Sequence, residues 1–122
     1  MLSKAILNPV RIESVFIENP IVEALPDGGY LCVYDSNVPD AIGYAFSADG
    51  THWNSGHALR IQSREKSWAR DVRTPLGLVH ERGNEYSIFY TGFESEPNWE
   101  SLLKGKGLDT SCAIGLARVA RE

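Results

Sequence analysis

Short runs of apolar and aromatic residues, separated by turns that contain glycine, dominate the pattern of this chain. Residues 30–34 (Tyr-Leu-Cys-Val-Tyr) and 86–90 (Tyr-Ser-Ile-Phe-Tyr) each follow a Gly-Gly or Gly-Asn turn. Runs of this length and composition, bounded by turn residues, are typical of β-strands. Asp49-Gly50 supplies the positive φ angles of a further tight hairpin. The pattern therefore predicts a chain of short strands and hairpins.

Helical periodicity is almost absent. Only residues 98–104, within a polar excursion over 94–110, predict a turn or two of helix. We therefore predict an all-β fold. The predicted strands are residues 21–25, 30–34, 42–47 and 58–61, followed by residues 76–80, 86–91 and 113–119.

The strand pattern occurs twice along the chain. The two copies share Pro20 and Pro75, a Tyr-x-x-x-Tyr run, and the tripeptide Ala-Ile-Gly at 41–43 and 113–115. A repeat of roughly fifty residues is typical of propellers, solenoids and arrays, whose units cannot bury their own faces alone. We predict a β-propeller-like fold with two four-stranded antiparallel blades in a single domain, residues 1–122. The first blade covers about 12–65 and the second about 66–122.

The second copy ends without a fourth strand, whereas an extra strand pattern precedes the first copy. Residues 4–7 precede 11–17 much as residues 58–61 precede 66–70. Propeller rings commonly close when a terminal strand completes the blade formed by the other terminus, and two blades cannot close a ring alone. We therefore predict a cyclic homo-oligomer in which residues 4–7 complete the second blade of the next chain. A trimer with six blades is preferred over a dimer with four.

Composition narrows the classes of function. The 122 residues carry 16 acidic and 12 basic side chains, a formal charge of −4, without a basic cluster, which disfavours nucleic acid as a partner. No membrane span and no signal-peptide core is predicted, so we expect a cytoplasmic protein. No Cys or His spacing suits zinc, and no metal or cofactor is predicted. Cys32 and Cys112 are expected to be buried thiols rather than a disulfide.

Two motifs resemble the five-bladed β-propeller glycosidases, the clan that includes glycoside hydrolase families 43, 32 and 62. Residues 47–53, Ser-Ala-Asp-Gly-Thr-His-Trp, are similar to the S-x-D-G-x-x-W hairpin of that clan. Residues 16–20, Phe-Ile-Glu-Asn-Pro, with the strand that follows them, resemble the E-G-P…G-Y-Y-Y-L-x-Y-S blade, with Asn19 in place of the Gly. The resemblance implies that Glu18 occupies the position of the general acid.

Glycoside hydrolysis requires a second carboxylate, about 5 Å away for retention or about 6.5–9.5 Å for inversion. In the clan, one of the other catalytic carboxylates usually precedes a proline, and this sequence contains no Asp-Pro pair. The resemblance therefore implies a carbohydrate-binding or vestigial glycosidase-like propeller that is not catalytic. One alternative is a glycoside hydrolase whose active site is assembled in the oligomer, with Glu18 as acid and Asp71 as base. Another is an interaction scaffold without a ligand.

The starts of the inner strands line the funnel of a propeller, so we expect the polar side chains there to converge. These residues are Glu18, Asn19, Asp71, Arg73 and Thr74. By the repeat, Arg73 occupies the position of Glu18. In a closed ring the two would alternate, either as a structural girdle of ion pairs or as groups that bind a sugar or another polyol.

Two tryptophans are further candidates for ligand binding. Trp68 precedes an inner strand, where its ring either packs in the core or stacks on a sugar. Trp99 lies in the polar excursion of the second copy. Long loops with an embedded aromatic residue often act as lids or binding loops, although Trp99 could instead cap an exposed blade edge.

Overall fold

The computed structural model describes residues 12, 17–36, 38–61 and 68–122 of the chain. The elements of these residues are β1 (Ile17–Ala24), β2 (Tyr30–Ser36), β3 (Ile42–Ser47), β4 (His57–Leu59), β5 (Asp71–Arg82), β6 (Glu85–Phe93), α1 (Trp99–Leu103) and β7 (Cys112–Ala120). The predicted strands and the short helix are confirmed. No helix in the described ranges is long and apolar enough to cross a membrane.

The strands form two antiparallel sheets. Sheet A has the order β1-β2-β3-β4 and sheet B the order β5-β6-β7, so each sheet is a simple meander. Among the described residues, no fourth strand pairs with β7. Residues 4–7, which were predicted to supply such a strand to a neighbouring chain, lie outside the described residues.

A tyrosine packed over a glycine occurs at the same place in both sheets. Tyr34 lies opposite Gly43 in sheet A, and Tyr90 lies opposite Gly115 in sheet B. A Cβ atom on Gly43 would lie 2.1 Å from Tyr34 Cε2, and one on Gly115 would lie 2.3 Å from Tyr90 Cζ. The tyrosine ring therefore occupies the space of a side chain at each glycine, which explains the repeated Ala-Ile-Gly.

The main core lies between the two sheets. Strand alternation directs Leu31 and Val33 of β2 towards Ile88 and Tyr90 of β6, and all four are buried. The inner strands β1 and β5 pack against each other. A second cluster on the opposite face of sheet A consists of Cys32, Tyr34 and Ala45, against which Ile12, Ile17 and Trp53 pack.

Both cysteines are free thiols, but they differ in exposure. Cys32 is buried and Cys112 is exposed, so the prediction of two buried thiols is wrong for Cys112. The physical reason is its position at the start of β7, the edge strand of sheet B. Among the described strands, a residue there has a neighbour on one side only.

Candidate functional site

The two inner strands are irregular at equivalent positions of the repeat. The β1–β2 ladder shifts register between Glu18 and Ile21, and the β5–β6 ladder shifts between Val72 and Pro75. A β-bulge bends its strand and redirects side chains, and bulges are common next to binding sites. Because β1 and β5 pack together, the two shifts bring the side chains beside them to one end of the molecule.

Asn19 takes part in the β1 irregularity through its backbone. Its φ angle is 50°, in the left-handed region that glycine adopts freely and asparagine tolerates better than most residues. The Asn19 side chain is exposed and does not line the cleft described next. Its position therefore favours a role in shaping the strand over direct contact with a ligand.

A cleft of about 430 Å³ opens where the irregular ends of β1 and β5 meet. We call it the β1–β5 cleft. It is lined by Glu18, Asp35, Arg73, Thr74, Thr91, Phe93 and Trp99. Four residues predicted from the sequence thus come together: Glu18, Arg73, Thr74 and Trp99.

Asp35 is a buried carboxylate in the wall of the cleft. The residue is only 5% exposed, and its Oδ2 accepts a hydrogen bond of 2.8 Å from Thr74 Oγ1. Its buried Oδ1 accepts no hydrogen bond within the described part of the chain. A buried polar atom without a partner costs about 1–3 kcal/mol. Asp35 thus lines the cleft and carries a buried acceptor, Oδ1, without a partner among the described residues.

Glu18 lies directly opposite Asp35 in the β1–β2 ladder. Residues paired in this way point to the same face of the sheet, and like charges directly opposite each other are destabilising. Arg73 supplies a positive charge in the same cleft. Neither Glu18 nor Arg73 forms an ion pair with another described residue. Their polar atoms are thus available to a ligand.

Trp99 presents a partly exposed ring on the other wall of the cleft. It meets Phe93 edge to face, with ring centroids 5.8 Å apart, and the Arg73 guanidinium lies 6.0 Å from its ring centroid. Asn98 caps α1, because its Oδ1 accepts a hydrogen bond of 3.0 Å from Ser101 N. The ring therefore has two described neighbours, Phe93 and Arg73, and is still 41% exposed.

Asp71, the predicted general base, does not line the cleft. It is 9% exposed, and its Oδ2 is buried without a partner among the described residues. Burial raises the pKa of Asp71; Arg73 opposes this, while Glu96, Asp40 and Asp35 reinforce it. Asp71 therefore lies close to the charges of the cleft but behind its surface.

Trp68, for which packing and sugar stacking were both left open, does not line the cleft. Its ring stacks on Tyr90 with centroids 6.4 Å apart and 16° between the planes. Tyr90 faces sheet A, whereas Phe93, which contacts Trp99, points to the opposite face of sheet B. The two tryptophans thus occupy opposite faces, because Trp68 packs over the side of the sheet that carries Gly92.

Sequence reasoning missed Asp35, Thr91 and Phe93 as cleft residues. The repeat contained a signal for two of them: Asp35 directly follows Tyr34 and Thr91 directly follows Tyr90, at equivalent strand positions. Both strands neighbour an inner strand with a bulge. The sequence signal for these two cleft residues therefore lies at the end of the second strand in each copy.

Comparisons of the chain with protein-family models, with characterised proteins and with solved structures find no match. The described residues contain no group of three or more His, Cys, Asp or Glu side chains that could hold a metal ion. The side chains that line the cleft supply carboxylates, a guanidinium, hydroxyls and aromatic rings.

Proposed function

We propose that the β1–β5 cleft binds a carbohydrate or another polyol without cleaving it. The observation that carries this proposal is Asp35 Oδ1, a buried acceptor without a described partner in the wall of the cleft. A carboxylate oxygen accepts hydrogen bonds from hydroxyl groups. Trp99 offers an apolar ring face, and Glu18 and Arg73 offer further polar contacts. Binding sites typically combine apolar walls with a few convergent polar groups.

We also propose that the two sheets are blades of a β-propeller similar to the five-bladed glycosidases. Three features support this assignment. The sheets are antiparallel meanders, their first strands pack side by side, and both have a Tyr–Gly pair at the same place. In that arrangement the cleft opens at the mouth of the funnel, towards which inner strands converge.

Binding without turnover is favoured over hydrolysis by the placement of the carboxylates. A glycosidase needs two carboxyl groups that flank the scissile bond. Glu18 lines the cleft, but Asp71 lies behind its surface. Asp35 does line the cleft, yet one of its oxygens is engaged by Thr74 and the residue is almost fully buried. This arrangement favours a group that holds a hydroxyl.

Hydrolysis is the second candidate, because Glu18 and Asp35 face each other across two strands. An assay with aryl glycosides separates the two functions. Binding without turnover predicts no release of the aryl group at any pH. If the chain releases the aryl group, and both Glu18→Gln and Asp35→Asn abolish that release, the function is catalysis and not binding alone.

Calorimetric titration with a panel of neutral, acidic and amino monosaccharides and disaccharides tests the binding proposal. For a sugar that binds, Asp35→Asn should weaken the affinity about tenfold or more, because a charged hydrogen bond contributes about 1.5–3 kcal/mol. Asp27→Asn is the matched control, since Asp27 lies in the turn before β2, at the other end of that strand from Asp35. The proposal fails if no sugar binds, or if the two variants bind equally well. The scaffold alternative predicts neither binding nor turnover.

A further inference from the structure

The face of sheet B turned away from sheet A, which we call the outer face, carries four exposed apolar residues beside Thr91 and Arg118. It carries Val79, Phe89, Ile114 and Leu116, which alternate along their strands with the buried residues of the core. Ile114 is the most exposed of the four, at 71%. Clustered exposed apolar residues on one sheet face mark an interaction surface.

The repeat indicates what covers such a face. Phe89 and Ile114 correspond in the first copy to Val33 and Ile42, which are 1% and 0% exposed. Those two residues are buried because their face of sheet A packs against sheet B. A second antiparallel sheet of the same kind is therefore the cover that this chain already uses at the equivalent positions.

The repeat also indicates what pairs with the open edge of sheet B at β7. In sheet A, β3 pairs on its far side with β4, so that Ile42 lies opposite Leu59 and Gly43 opposite Ala58. β7 is the equivalent of β3, but no described strand pairs with its far side. An open edge presents free N–H and C=O groups and is normally paired or covered. The β3–β4 register therefore predicts how an added strand pairs with β7.

We propose that a second copy of this chain covers both surfaces in a head-to-tail contact. Residues 4–7 of one chain pair antiparallel with β7 of the next, and sheet A of the first chain packs on the outer face of sheet B of the second. This contact adjoins the β1–β5 cleft, because Thr91 of the cleft lies opposite Ile114 of the outer face, but it is inferred without the sugar-binding proposal. A head-to-tail contact that closes on itself produces a ring.

The position of Ile12 favours a neighbouring chain as the recipient of residues 4–7. Ile12 packs on the cluster of Cys32, Tyr34 and Ala45, on the face of sheet A that points away from sheet B. Its carbonyl oxygen accepts a hydrogen bond of 3.3 Å from Gly56 N, just before β4. The residues before Ile12 therefore start from the side of sheet A on which the proposed neighbour lies.

Light scattering of the full chain at micromolar concentration is the first test. We expect the mass of a closed oligomer, three chains or two. Ile114→Lys combined with Leu116→Lys should give a monomer, because two charges would be buried on the outer face. Leu103→Lys is the control, since Leu103 on α1 is 88% exposed and lies outside both proposed surfaces. A monomeric parent chain, or a double variant that keeps the parent mass, overturns the proposal.

A cross-linking test does not depend on the stability of that double variant. Ile42 lies opposite Leu59 in the β3–β4 ladder, so a continuation of this register by two residues pairs residue 40 with residue 61. The equivalent of residue 40 in the second copy is Cys112. The equivalent of residue 61 before the first copy is Leu7. Under mild oxidation, Leu7→Cys should therefore link to Cys112 of another chain and give covalent dimers and larger species, whereas Leu7→Cys with Cys112→Ser should not. A link within one chain, no link, or a link that survives Cys112→Ser contradicts the proposal, as does a symmetric dimer joined through two β7 strands.

Discussion

Thr74 Oγ1 donates a hydrogen bond of 2.8 Å to Asp35 Oδ2 and thereby connects β5 of sheet B to β2 of sheet A in the wall of the cleft. This bond fixes the orientation of the Asp35 carboxylate. Oδ1 of the same group is buried and has no hydrogen-bond partner among the described residues. The bond therefore links the packing of the two sheets to the proposed chemistry of the site.

Thr74→Val should destabilise the fold by about 1–3 kcal/mol, because it leaves a second buried carboxylate oxygen without a hydrogen bond. Urea unfolding measures this change. Thr91→Val is the matched control, since Thr91 lines the same cleft without a described side-chain hydrogen bond, and it should change stability by less than about 0.5 kcal/mol. Equal losses in the two variants would show that the Thr74–Asp35 bond contributes nothing specific.

Trp99→Ala should remove most of the affinity for a sugar that binds, whereas Trp68→Ala should retain it. The reason is that the two rings lie on opposite faces of sheet B, and only Trp99 lines the cleft. Calorimetry with the same sugar measures both affinities. Circular dichroism checks that each variant is folded. Loss of affinity only in Trp68→Ala would place the sugar in a different part of the molecule.

Gly115→Ala should destabilise sheet B strongly, by about 1–3 kcal/mol or more, because the new methyl group would overlap the Tyr90 ring. Gly77→Ala is the control, since the nearest atom to a Cβ there is Phe89 Cδ2 at 3.4 Å, an ordinary contact. Thermal unfolding compares the two variants. Similar midpoints would mean that the Tyr90–Gly115 packing is not required for the fold.

The stability of the parent chain should depend on pH through Asp71. Burial raises the pKa of Asp71 above its ordinary value of 3.8, so the folded state holds this proton more tightly than the unfolded state. The contribution of Asp71 to stability is therefore fully present below pH 3.8 and is lost as the pH rises through the higher folded pKa. Asp71→Asn should remove this dependence and gain stability relative to the parent at neutral pH.

Denaturant unfolding at a series of pH values measures that gain. The pH dependence of stability that Asp27→Asn removes has the opposite sign, because the hydrogen bond from Arg121 lowers the pKa of Asp27. Its contribution is present above the ordinary pKa and is lost as the pH falls through the lowered value. An Asp71→Asn variant whose stability relative to the parent is the same at pH 4 and pH 7 would show that Asp71 is not perturbed in the fold.

The sequence predicted the elements well, because they depend on local patterns. The apolar and aromatic runs that end at Tyr34 and Tyr90, the glycine turns and the repeated Ala-Ile-Gly were sufficient to place the strands of both sheets. Glu18 and Arg73 were predicted to converge because each stands at the start of a predicted inner strand, and both line the cleft.

The composition of the cleft was harder to predict, because it depends on which face each side chain occupies. A shift of one residue in a ladder moves a side chain to the other face of its sheet, and both inner strands contain such shifts. Asp71 lies opposite Phe93 of the cleft in the β5–β6 ladder, yet it is almost fully buried and does not line the cleft. Trp68 lies over the face that carries Tyr90, and its loop position gave no indication of this.

We propose that a sugar or another polyol binds in the β1–β5 cleft through Asp35. A ¹H–¹⁵N correlation spectrum of the full chain, recorded while a sugar panel is added, tests it most directly. Binding in the cleft should shift the amide signals of Asp35, Thr74 and Thr91 and the indole signal of Trp99 with one class of sugar, while the indole signal of Trp68 is unchanged. An unchanged spectrum with every sugar, or shifts confined to residues outside the cleft, would contradict it.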